Sequence, residues 1–441
     1  MADSIHSKRL PCLAAVAVLA LAFIAAASGC SELINPSVTI AGVKYPPDTE
    51  SITLAAYDSD DYAPFARLKN LRTLDVTALE LSAEDYSHIR SQLDGSVDII
   101  WSVPMSNGRL PSNAEELTFS GAIPQSDAYS VRYFTGLKKF SAVNAELDDN
   151  LYTAINAATQ NNPDIQLNCS TKIYGVALDN TTELLDLNNI KIASPDLLCL
   201  AIELFPNIKT VEMCDCGLSN EIMQGLREEY PEIKFVWTIS FLHFKVRTDI
   251  QVFSTLVGNF SKTGDTNTFM PIFKYCTELR ALDLGHMAIT DISEIRNLNK
   301  LHTLILADNY ISDISPIAEL KDLVYIELFQ NRIRDVSPLL ELPNLEDLNL
   351  CYNGRMENPT VLTGSKKLKR LYISHCSLDA NEISTLKSRI PADCEFNYTA
   401  PNCVFSGWRT TKNARNTKIR EAFKNWRNVK EYPTWDNIIY K

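Results

Sequence analysis

The apolar positions of this chain keep one spacing through much of its second half. Leu279, Leu301, Leu323 and Leu345 stand 22 residues apart, and Leu368 opens a fifth copy after 23. Within a copy the apolar residues fall at positions one, four and six, as in Leu301, Leu304 and Leu306, with Ile311 following a polar stretch. Such alternation predicts a short strand whose positions four and six turn inward while three, five and seven line the opposite face. Asn309, Asn331 and Asn353 hold one fixed place after the strand, where a buried amide can bond the backbone of a turn. Met287 and Cys376 replace it in the outer copies, so those turns must satisfy their backbone groups differently.

The rhythm reaches upstream in looser form. Leu71, Leu74, Val76, Leu79 and Leu81 make a full copy, and Ile52-Thr53-Leu54 lies 22 residues before Leu74-Asp75-Val76. Further strand pairs follow at Leu117/Phe119, Phe140/Ala142, Leu185/Leu187 and Val211/Met213. Between them Ser82 to Trp101, Asp148 to Cys169 and Ser219 to Trp237 each read as a helix leading into an alternating strand. The same element closes the second array from Asp379 to Phe396, and the strands group in threes with a higher-order period near 65 to 70 residues. Ser240 to Thr277 breaks the rhythm: one strand is expected at Ile250 to Phe253 and the rest is irregular, which reads as an insertion or kink, with a domain boundary as the alternative.

The pattern L-x-x-L-x-L-x-x-N-x-I resembles the leucine-rich repeat, in its 22-residue, internalin-type form. The resemblance implies an α/β fold: a leucine-rich-repeat solenoid with a parallel concave sheet and helical or irregular convex segments. One such repeat cannot bury its own apolar face, so neighbours must stack into a continuous core. The expected organisation is a signal peptide (1–29), a tether (30–48), irregular repeats (49–239), the insertion or kink (240–278), regular repeats (279–403) and a C-terminal cap (404–441). The family likeness also implies recognition of a protein or surface-polymer ligand, without identifying it.

The leader carries its own information. Lys8 and Arg9 precede an almost wholly apolar run from Leu13 to Ala27, long enough for a secretory core and short for a membrane span. It ends in Ala27-Ser28-Gly29-Cys30, which resembles the bacterial lipobox with Ala27 where Leu is usual. Diacylation at Cys30 would place the chain on the outer side of a cell membrane, each buried methylene adding roughly 0.8 kcal/mol. An ordinary signal peptide cut near Gly29 is the alternative.

Charge then sharpens the picture. The 441 residues carry a net charge of -12, which argues against a generic nucleic-acid binder. From Val404 onward nine Lys or Arg residues face Glu421, Glu431 and Asp436, a net of +6, with Trp408, Trp426 and Trp435 interleaved. Residues 30–403 therefore carry -19. Lys412 to Trp426 reads as a helix with Ile419, Ala422, Phe423 and Trp426 on one face, and the tail as a cap over the last repeat with its basic side chains in water. Position five of the repeats reads Thr53, Asp75, Thr118, Ser141, Asp186, Glu212, Asp283, Ile305, Glu327, Asn349 and Tyr372: five acids and no base. Tyr325, Phe329, Tyr352 and Tyr372 gather in the last regular repeats, and aromatic residues dominate binding energy at protein interfaces. Asp283, Tyr325, Glu327, Phe329, Tyr352 and Tyr372 are the candidate ligand contacts, and a basic partner suits them.

Catalysis finds little support. The sequence has no nucleophile elbow, H-E-x-x-H or phosphate-cradling glycine loop. Cys214-x-Cys216 lacks a second pair and a nearby histidine, so no metal or cofactor is expected, and the cysteines read as small buried residues. An envelope component that binds a protein of its own cell is the competing role, and an enzyme using residues 240–278 a remote one.

Overall fold

The computed structural model describes residues 37–57, 61–255, 266–401, 407–409 and 414–426, so the leader and Cys30 lie outside the described residues. The chain forms two compact units, one of Met1–Thr182 with Ser194–Ile208 and one of Glu183–Ala193 with Lys209–Lys441.

In the first unit Ser51–Thr53, Thr73–Asp75 and Asp98–Ile100 pair in parallel. A second sheet runs Glu116–Ser120, Lys139–Ala145, Gln166–Ile173 and Val176–Asp179, the last strand antiparallel. Helices occupy Ala83–Gln92 and Asp149–Asn161, where the 3.6-residue pattern puts them. Each starts on a side chain that takes up orphan N–H groups: Ser82 forms a capping box with Asp85, and Asp148 accepts from Asn150 and Leu151.

A feature absent from the sequence reading is a hairpin after three of the four helix-and-strand elements. The Trp101 N–H donates to Ser112 Oγ at 3.1 Å and the Ser112 N–H returns to the Trp101 carbonyl at 2.8 Å. In the second unit Trp237 and Thr248 repeat the arrangement at 3.1 and 2.9 Å. Cys169 donates in the same way to the Asn180 side chain. Trp101, Cys169 and Trp237 lie 68 residues apart, which refines the higher-order period to a single value.

The second unit holds a parallel sheet of Leu184–Asp186, Thr210–Glu212 and Lys234–Val236, and a parallel seven-stranded sheet. The strands of the latter are β1 (Val252–Ser254), β2 (Ala281–Asp283), β3 (Thr303–Ile305), β4 (Tyr325–Glu327), β5 (Asp347–Asn349), β6 (Arg370–Tyr372) and β7 (Glu395–Asn397), in chain order. Leu282, Leu304, Ile326, Leu348 and Leu371 stand in register and are buried, so the 22-residue spacing becomes one apolar row across the sheet. The described residues of 240–278 supply part of a hairpin, β1 itself and a 3-10 stretch at Thr266–Tyr275.

Convex segments are 3-10 turns such as Ser315–Glu319 and Ser337–Glu341, each with Pro in its first turn. Asp313 and Asp335 accept from the N–H of Ser315 and Ser337 at 2.8 Å, which fixes the entry to each turn. The asparagine ladder stitches the strand ends together. Asn331 donates to the Leu306 carbonyl at 2.9 Å and the Leu328 carbonyl at 3.1 Å, and accepts from the Ile311 N–H at 3.0 Å. Asn309 and Asn353 repeat this, and in the outer copy the Cys376 thiol reaches the Leu350 carbonyl at 3.1 Å. Burial pushes the Cys276 thiol up to about 12 and the Cys169 thiol up to about 11, as inert structural thiols require.

Candidate recognition surface

Strand positions three and five ordinarily face water in this architecture, and they do so at Ser51–Thr53 and Leu184–Asp186, where an exposed residue lies on each side of a buried one. In β1 to β6 all three residues of every strand are buried. The cover is the chain's own basic tail.

Trp408 is fully buried among strand side chains, its ring centroid 5.5 Å from that of Tyr325 and 5.1 Å from that of Tyr372. The guanidinium of Arg370 lies 4.2 Å from the Trp408 ring centroid, and its Nη1 donates to the Trp408 carbonyl at 3.3 Å. Gly407, at φ +123°, passes so close to Tyr372 that a Cβ would meet its hydroxyl. Only glycine meets both demands easily.

The ion pairs follow the same path. Arg409 Nε donates to Glu327 Oε2 at 3.0 Å, Nη2 bonds the same carboxylate, and the guanidinium lies 5.4 Å from the Phe329 ring centroid. Arg415 reaches Glu346 at 2.7 Å and also bonds Asp347, whose other oxygen accepts from Arg370 at 2.7 Å. The side chains of Arg409 and Arg415 are only 19% and 14% exposed, so these are interior contacts and not solvated charges. Burial opposes the charge on Arg409, but Glu327 outweighs it and the guanidinium is held more firmly protonated than usual. The same balance, with Asp347 as the main partner, holds at Arg415.

The helix Ala414–Asn425 continues the cover. Asn416 donates to the Tyr325 hydroxyl at 3.2 Å, and Tyr325 bonds Glu327 in turn. Ile419, Ala422, Phe423 and Trp426 are all buried, and the Trp426 ring sits 4.9 Å from Phe253 of β1 and 6.1 Å from Phe244. The described residues of the tail thus lie along the inner sheet face from β6 back to β1.

This placement revises the sequence reading. The tail was expected over the end of the last repeat with its basic groups in water; Trp408, Arg409 and Arg415 instead lie on the inner face with their charges paired. Of the six candidate contacts, Asp283, Tyr325, Glu327, Phe329 and Tyr372 are buried rather than open to a ligand. Tyr352 is apart from them: it is 38% exposed, stacks on His375 at 4.2 Å and donates to the Pro401 carbonyl at 2.8 Å. The sequence reading did not single out Glu346, Asp347 and Arg370, which lie at positions two and three of the repeat and make three of the four ion pairs described here.

Asp283 is the carboxylate the tail serves least. It accepts from the Gly285 N–H at 3.0 Å and the Ser254 hydroxyl at 3.1 Å. Burial pushes it up to about 6, the nearby Glu327 charge adding to the effect and Arg409 opposing it. Burial and the Glu395 carboxylate likewise push the Tyr372 hydroxyl up to about 12.

Comparison with known proteins agrees with the repeat architecture. A family model described as Leucine Rich repeats (2 copies) matches residues 277–321. No curated protein matches the sequence. Among solved structures the chain is similar to an internalin (inlF) from Listeria monocytogenes, at 16% identity and a TM-score of 0.26, covering 78% of this chain and 71% of that one. It is also similar to a leucine-rich-repeat protein of Leptospira interrogans, at 16% identity and a TM-score of 0.26, covering 76% and 92%. An internalin C2 of Listeria monocytogenes matches at 13% identity and a TM-score of 0.27, covering 66% and 85%. The fold is a leucine-rich-repeat solenoid.

Proposed function

We propose that this chain is a bacterial surface lipoprotein, anchored through Cys30, whose leucine-rich repeats recognise a protein partner on their inner face. The observation that carries the reading is the chemistry of that face. Tyr325, Glu327, Phe329, Asp347 and Tyr372 form one acidic and aromatic surface, and it already holds arginine and tryptophan side chains by ion pairs and ring contacts. Those are the residue types that carry most of the energy at protein interfaces.

The test has two parts. The full chain, cross-linked in an envelope fraction of its own organism, is expected to capture one stoichiometric protein through residues of β2 to β6. Cross-links confined to other surfaces would remove the inner face from the reading. Palmitate labelling is expected in the wild type and not in Cys30→Ala, and equal labelling of the two would remove the lipid anchor.

A further inference from the structure

The tail fills the inner face without satisfying it. Thr303 Oγ1, Asn349 Nδ2, Arg370 Nη2 and Trp408 Nε1 are sealed from solvent with no hydrogen-bond partner among the described residues. Thr303, Asn349 and Arg370 stand at positions three or five of their repeats, on the face the tail covers, and Trp408 packs on Arg370. Asp283, on the same face, receives no direct bond from a cation among the described residues. Buried polar groups are ordinarily paired, and each unmade bond weakens the hold of whatever buries it. An occupant evolved only to seal the sheet would need no arginines, since apolar side chains of similar volume cover a face as well or better than buried ion pairs.

We propose that the face formed by β2 to β6 is a receptor for a basic, tryptophan-bearing segment of another protein, and that residues 407–409 and 414–426 are an intramolecular competitor which that segment displaces. The inference rests on the recognition reading above and adds to it the partner's chemistry and the control of access. Glu327 and the Glu346–Asp347 pair each take one guanidinium, and the gap between Tyr325, Tyr372 and Arg370 takes one indole. A partner that also offers a cation to Asp283 and acceptors to Asn349 and Arg370 makes bonds the tail leaves unmade.

The experiment measures exchange on the full chain. The probe is a fluorescent synthetic peptide with the sequence of residues 404–426, and the receptors are the wild type and the double variant Arg409→Glu with Arg415→Glu, in which the tail is repelled. A tethered segment competes at an effective concentration on the order of millimolar, so for a peptide binding at about ten micromolar the opened chain should bind about a hundredfold tighter than the wild type. Adding Glu327→Ala to the opened chain should weaken binding sharply, and a lysine-rich peptide of equal charge without tryptophan should bind far more weakly. Equal affinity for wild type and opened chain, no binding to an opened chain that circular dichroism shows to be folded, or equal binding of the lysine peptide each overturns the proposal.

Should the double variant not fold, a protease site between Pro401 and Gly407 of the otherwise native chain allows cleavage after folding. Exchange of the cut tail for labelled peptide supports the proposal, and a cut tail that never exchanges overturns it. The two readings fail separately. Peptide exchange without any envelope partner for the wild-type or opened chain counts against recognition. Capture of a partner on the inner face of a chain whose tail stays in place counts against displacement alone.

Discussion

Replacing Trp408 with alanine asks whether the tail is a docked segment or a part of the repeat core. A fully buried tryptophan hides roughly 150–250 Å², which at about 25 cal/mol per Å² amounts to about 4–6 kcal/mol. The stacking of Arg370 on its ring at 4.2 Å adds about 2 kcal/mol in a desolvated site. The unmade bond at its Nε1 subtracts about 1–3 kcal/mol. The expected loss is therefore about 3–7 kcal/mol, overlapping the range of about 3–5 kcal/mol found for deleting a buried aromatic ring. The indole lies on the inner face of the sheet, outside the apolar row, so its partners Tyr325, Tyr372 and Arg370 return to water when the tail lifts, and no cavity opens among Leu304, Ile326 and Leu348. The loss should fall on docking alone. That loss exceeds the hold of about a hundredfold that the tether gives a ten-micromolar segment, so hydrogen exchange read by mass spectrometry should show amides of 414–426 losing all the protection docking gives, about two orders of magnitude, while β3 to β5 keep theirs. If protection in those strands falls together with that of the tail, and the main thermal transition drops with it, the tail is a structural part of the array and the argument fails.

Three further outcomes follow from particular contacts. Gly407→Ala adds a Cβ at a positive φ against the Tyr372 hydroxyl, which should weaken docking by about 1–3 kcal/mol; trypsin should then cut the tail before the repeats, and unchanged cutting would refute the close approach. Asp283 holds its proton up to about 6 in the folded state, above its unfolded value of about 3.9, so the fold binds the extra proton between those values and loses stability as pH rises through them. Asp283→Asn should therefore gain on the wild type by about 3 kcal/mol between pH 4 and pH 7, and a constant gap in chemical denaturation across that window would sink the assignment. Asn331→Ala strands the Leu306 and Leu328 carbonyls and the Ile311 N–H and should cost about 3 kcal/mol or more in global stability by urea denaturation; a loss under 1 kcal/mol would mean the ladder is not what holds the strand ends.

The repeats were legible because a 22-residue leucine spacing maps one to one onto strand register: Leu282, Leu304 and Ile326 can meet side by side in no other way. Helix starts at Ser82, Asp148, Ser219 and Asp379 were legible for a related reason, since capping is local chemistry within four residues. The hairpins were not. Their closing pairs use Ser112, Asn180 and Thr248 opposite Trp101, Cys169 and Trp237, and side chains so unlike one another leave no motif although the geometry repeats every 68 residues. The acidic row and the basic tail were both visible, and the row was read as wanting a basic partner. That the partner is in the same chain depends on contacts such as Arg409 to Glu327, 82 residues apart, which no local pattern carries.

What the strands bear where they are open differs from what they bear where they are covered. Ser51 and Thr53 flank Ile52 with small polar groups that water satisfies. Tyr325, Glu327, Arg370 and Tyr372 stand at the equivalent positions of β4 and β6, and large aromatic or charged side chains there need an occupant with matching charges and a ring. Taking Glu327 and Asp347 out of water costs several kcal/mol each by general expectation, so their pairs with Arg409 and Arg415 return little net stability. They return selectivity instead, because a segment lacking two guanidinium groups at the right separation would leave both carboxylates buried and uncompensated. A surface built in this way is poorly suited to holding a fold together and well suited to choosing what lies on it. The net charge of -19 on residues 30–403 is thus a property with a place, concentrated in part where an arginine has to arrive.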